Sequence, residues 1–90
     1  MLNSKISSFE DFERLPEEKQ LAFYQMASLF ESVGLLVEKG YVKEELVDDM
    51  FATQLAWERL EPFIKGTRAK CRSEDYYVWM QKLHERLSKA

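Results

Sequence analysis

The sequence has little of what most folds and most active sites are built from. Its 90 residues include three glycines, two prolines and one cysteine, Cys71. So few turn formers exclude an all-β fold, which needs a turn signal every ~8–12 residues. A single thiol excludes an internal disulfide and a cysteine-rich zinc site, and it suits a reducing compartment, the cytoplasm by default. The one histidine, His84, has no Glu-x-x-His partner, so the usual zinc and di-iron ligand sets are missing, and beside Glu85 it reads as a surface residue. There is no glycine-rich phosphate loop and no serine elbow, so neither a cofactor nor catalysis is expected. No apolar run approaches the ~20 residues that cross a bilayer, and Met1 to Leu15 carries charges where a signal peptide has an apolar core. Membrane insertion is therefore not expected.

What the chain does have is apolar surface. It is 46% hydrophobic and 13% aromatic, too apolar for disorder and the right length for one domain, residues 1–90. The net charge of −3 conceals an asymmetry. Residues 1–64 carry 6 basic and 13 acidic side chains, whereas 65–90 carry 7 basic and 3 acidic. An acidic body thus meets a basic end, a distribution that can orient a charged partner or a second copy and otherwise only solvates a surface.

The periodicity is helical throughout. Ile6, Phe9, Phe12 and Leu15 give one face to a short N-terminal helix or arm within 1–15, and Ser7 with Glu10 matches a capping box. Pro16 ends it and opens a helix over 16–39, with Glu17 and Glu18 at the positive end of the dipole. Phe23, Met26, Ala27, Phe30, Val33 and Val37 form that helix's stripe. Gly34 interrupts it, and Trp57 is the side chain expected to pack there, unless the glycine is merely tolerated. Gly40 reads as a left-handed C-terminal cap.

Over 43–64 the residues Val47, Met50, Phe51, Trp57, Leu60 and Ile64 recur at steps of three and four, which predicts a central helix with a kink or break near Pro62. Ser73 is a candidate N-cap for a last helix over 74–88, with Tyr76, Trp79, Met80, Leu83 and Leu87 on one face. The fold reading is all-α: a small antiparallel bundle of three main helices plus the short N-terminal one.

The ordered series Gly34, Leu36, Gly40, Val42, Leu46, Phe51, Trp57, Leu60, Pro62, Ile64, Arg68, Tyr77, Trp79 and Leu83 resembles the C-terminal part of a bacterial family, domain of unknown function 4760. The resemblance covers about residues 20 to 85. It implies a helix ending at a glycine-bounded turn, an acidic helix carrying a tryptophan, a proline, an arginine and an aromatic last helix. It implies no activity. Members often carry an N-terminal membrane segment; this sequence shows no such run, so no membrane-proximal role is inferred.

Two surfaces are candidates for contact. Six phenylalanines, four tyrosines and two tryptophans exceed what three short helices readily hide, and exposed aromatic patches mark protein contacts, with Phe9, Phe12 and Leu15 together with Tyr76 and Tyr77 as the candidates; the alternative is that the first helix caps the open end of the bundle. Lys65, Arg68, Lys70 and Arg72 form the one basic patch, able to contact an anion, although Arg68 is equally placed to pair with Glu58 or Glu61. Cys71, between Lys70 and Arg72, reads as a free modifiable thiol. Glu44, Glu45, Asp48 and Asp49 suit a helix N-terminus better than a metal site. The expected function is a non-enzymatic protein–protein interaction or oligomerisation module, whose partner is another protein or a second copy in a homodimer. The alternative is a small, phage-related regulator or inhibitor binding nucleic acid or a nucleic-acid-binding protein. An acidic chain disfavours nucleic acid itself.

Overall fold

Proline and serine set the first boundary. In the computed structural model, which describes residues 5–88, helix α1 (Phe9–Glu13) is capped by Ser8, whose hydroxyl accepts from the Asp11 amide at 3.2 Å. Asp11 in turn accepts from the Ser7 amide at 3.0 Å. The capping pair thus lies one residue later than Ser7 and Glu10. Pro16, extended at ψ 151°, then begins α2 (Glu17–Glu38).

Helix α2 ends as its glycine predicts. Gly40 has φ +80°, its amide donates to the Val37 carbonyl, and the Tyr41 amide donates to the Leu36 carbonyl, both at 3.0 Å. These two bonds make a Schellman cap, which satisfies carbonyls that the helix leaves free.

The expected central helix is two helices. α3 (Glu44–Met50) stops at Phe51, whose backbone is extended (φ −133°, ψ 145°), and α4 (Thr53–Cys71) continues past Pro62 without ending there. The break lies at residues 51–52, not at the proline. Proline costs an interior helix ~3 kcal/mol, but Leu60, Phe63 and Ile64 around it are completely buried, and burying each large apolar side chain contributes ~1.5–3 kcal/mol. Packing outweighs the local penalty. The break has a use of its own: it lets Phe51 turn inward, its ring edge-on to Phe30 with centroids 5.8 Å apart.

Two core clusters result. The larger joins Phe12, Phe23, Ala27 and Phe30 to Trp57, Leu60, Phe63, Ile64 and Met80; the smaller is Val37, Val47 and Leu83; Phe51 touches both. Met50, expected in the stripe, is 63% exposed. Once the helix is broken, α3 and α4 need not share a phase, and α4 buries 53, 56, 57, 60, 63 and 64 on its own 3.6-residue period.

Helix α5 (Val78–Ser88) starts four residues later than expected. Ser73 accepts from the Asp75 amide in a turn instead of capping a helix. Two residues hold the linker in left-handed backbone, Arg72 at φ 54° and Tyr77 at φ 62°, a conformation that costs a side-chain-bearing residue ~1–2 kcal/mol. Trp57 does not lie on Gly34. The backbone of α5 does: a Cβ at Gly34 would collide with the Trp79 carbonyl. There Glu31, the one charged residue between Lys19 and Glu38, accepts from the Met80 amide at 2.8 Å and so caps α5 from α2. All described elements are helices, and none among the described residues is long and apolar enough to cross a membrane.

Candidate interaction surfaces

The N-terminal aromatic face is core. Phe12 is 2% exposed, within 4.7 Å of Phe63 and 5.6 Å of Phe23 between ring centroids, and it offers no surface to a partner. Phe9 and Leu15 are half-buried against the same cluster. Phe9 reaches the backbone of α4 at Gly66, where a Cβ would meet its side chain. Gly66 is the residue that allows α1 to dock, and nothing in the periodicity of the sequence marks it. Tyr77 is half-buried beside Phe63, and Tyr76 alone of the five stays exposed. Burial, with Tyr24 and Glu31 nearby, raises the Tyr77 hydroxyl above its ordinary pKa of 10.0; the Tyr76 hydroxyl is also raised, chiefly by a hydrogen bond with Cys71.

The basic patch is largely engaged within the chain. Lys65 lies 3.7 Å from Glu61, and Lys70 lies 3.6 Å from Glu13 and over the Phe9 ring. The Arg68 Nε donates to the Tyr76 carbonyl at 2.8 Å, not to Glu58 or Glu61, and so ties the α4–α5 linker to α4. Arg72 occupies the left-handed cap. Lys65, Arg68 and Lys70 are thus each engaged by a different group of the chain.

His84 is not a surface residue. It is half-buried, its ring stacked on Trp57 (centroids 5.0 Å, 16° between planes), with Nδ1 hydrogen-bonded to Gln54 Oε1. Gln54 also donates to Ser88, fastening α5 to α4. Of the acidic group on α3, Glu44 shares Arg86 with Glu38. No set of three or more His, Cys, Asp or Glu among the described residues is arranged to hold a metal ion.

Exposed apolar side chains lie elsewhere: Tyr41, Leu46, Met50 and Leu55 are scattered over other elements, and five share the outer side of α2. Leu21, Tyr24, Leu29, Leu35 and Leu36 are 54, 46, 44, 37 and 41% exposed. Ser28 and Ser32 sit between them, beside a shallow open depression that Tyr24, Gln25 and Leu29 also line. The Ser32 hydroxyl is bonded back to the Ser28 carbonyl at 2.9 Å, so it makes little demand on water. From Gln20 to Val37 this outer side carries no charge. The sequence held a signal for it, because α2 is apolar around more of its circumference than one core face requires. In the sequence Leu21, Tyr24, Leu35 and Leu36 broaden the α2 stripe, which predicts contact on more than one side of the helix.

The profile of the domain of unknown function 4760 (DUF4760) matches residues 2–87, so the chain belongs to that family, and the match takes in α1 as well as the C-terminal helices. No curated protein and no solved structure matches the chain.

Proposed function

We propose that this DUF4760 domain is a non-enzymatic protein-interaction module whose contact surface is the outer face of α2. The observation that carries the reading is the run of five exposed large apolar side chains on one uncharged helix face. Single exposed leucines are ordinary, whereas a contiguous patch marks a contact site. We also read α2, α4 and α5 as an antiparallel bundle. In support, Tyr24 meets Phe63 while Phe30 meets Phe51, and Trp57 meets His84 while Phe63 meets Tyr77. The exposed free thiol of Cys71 fits a reducing compartment, and we place the protein in the cytoplasm.

A photo-crosslinking residue placed at Ser32 in living cells tests the reading, with one at Glu85 on the charged surface as control. A discrete adduct from Ser32 and none from Glu85 is the expected outcome. Equal labelling from both, or none from either, rejects the α2 face.

A further inference from the structure

Resting on that reading of α2, we infer that the occupant of the face is a second copy of this chain, laid antiparallel about a two-fold axis near Ser28. Glu17, Leu21, Tyr24, Ser28, Ser32, Leu35 and Lys39 follow one another at steps of three and four and are all exposed, so they form one outward stripe. The stripe complements its own reverse, which a two-fold contact demands. With Ser28 on the axis, Leu21 faces Leu35 of the other copy, the large Tyr24 faces the small Ser32, and Glu17 faces Lys39. Each pairing occurs twice. Ser28 meets itself, where a small side chain permits close approach.

The charges support a copy of the chain over an unrelated partner. Glu17 and Lys39 stand at opposite ends of the uncharged stretch, and neither has an ion-pair partner among the described residues. Glu38, which would place like charges together, is drawn aside by Arg86 at 2.7 Å.

The area is that of a weak contact. At ~150–250 Å² for a large side chain, the exposed parts of the five apolar residues amount to roughly 450 Å² per copy. Two copies then bury about 900 Å² before the serines and end charges are counted, close to the ~1,000 Å² that separates specific interfaces from incidental ones. Area does not fix affinity, so the association is to be sought over a wide range of concentration.

The test is sedimentation equilibrium on the purified chain from about 1 to 500 μM. The mass should rise from 10.7 kDa toward twice that value. Ser28→Glu places two carboxylates at the axis and should weaken dimerisation at least ~10-fold, with the circular dichroism spectrum and melting temperature showing that the exposed substitution leaves the fold intact. Glu17→Lys and Lys39→Glu should each weaken it, and the double swap should restore it. A dimer that ignores Ser28→Glu, or a double swap that fails to restore association, overturns the antiparallel contact. A monomer at every concentration overturns the second copy; if Ser32 then still crosslinks to a different protein in cells, the α2 face survives as the contact surface, and if it does not, both readings fall.

Discussion

Truncating Trp57 to alanine removes a side chain that is 6% exposed and the ring on which His84 stacks. Deleting a buried aromatic of this size costs ~3–5 kcal/mol, a large share of the 5–15 kcal/mol that holds a domain together. Urea melts of Trp57→Ala should show a loss in that range, and a loss below about 1 kcal/mol would mean that the indole is not core. Tyr77 makes the pH prediction at the same scale. Burial keeps its hydroxyl protonated to higher pH than in the unfolded chain, where the ordinary value of 10.0 applies. The folded state therefore holds the proton more tightly, and the stability that follows is whole below about pH 10 and lost as pH rises through the folded value. Melting temperatures measured from pH 8 to 11 should fall more steeply for the natural chain than for Tyr77→Phe. Parallel curves would place the hydroxyl in solvent.

Gly34 shows how two helices settle an argument that one helix cannot. Within α2 alone, alanine would be favoured over glycine by ~1 kcal/mol. At the crossing, the added methyl would strike the Trp79 carbonyl and carbon, which are backbone atoms of α5 and cannot rotate away. Overpacking of this kind costs ~1–3 kcal/mol, so Gly34→Ala should be destabilising, and a variant that melts higher than the natural chain would refute the close approach. In the sequence Gly34 reads either as a packing site for Trp57 or as a tolerated glycine, and only the structure decides between them. Side-chain size pointed to Trp57, whereas the neighbour is main chain, which carries no sequence signal. The same limit explains the other differences. Pro16 and Gly40 act through their own backbone, and both boundaries were legible within a residue. The break at Phe51 arises because its ring is used by α2 and by both core clusters, a tertiary demand invisible to periodicity. The late start of α5 depends on left-handed Tyr77, a residue type that gives no hint of that conformation. Phe9 and Phe12 were singled out correctly as an apolar face, but which surface they cover depends on Gly66, nearly 60 residues away.

Across the whole molecule, stability should be unevenly spread, and α3 should be its weakest part. It has seven residues and buries only Val47, and a helix that short has no standing stability of its own in water. Its ties are Val47 within the small cluster and the contact between Glu44 and Arg86 at 3.9 Å. The first contributes ~1.5–3 kcal/mol; the second lies between part-exposed side chains and contributes at most ~1 kcal/mol. Undocking α3 should then cost about 2–4 kcal/mol, less than unfolding α4, whose residues Leu60, Phe63 and Ile64 are wholly buried. Native-state hydrogen exchange distinguishes the two, because amides that open locally exchange at the lower free energy. Amides of α3 should exchange with an opening free energy several kcal/mol below those of Leu60, Phe63 and Ile64. Val47→Ala should lower the α3 value further, while the gap between α3 and α4 persists. Equal protection in the two helices would mean that the break at Phe51 does not uncouple them, and that the molecule opens as a single unit.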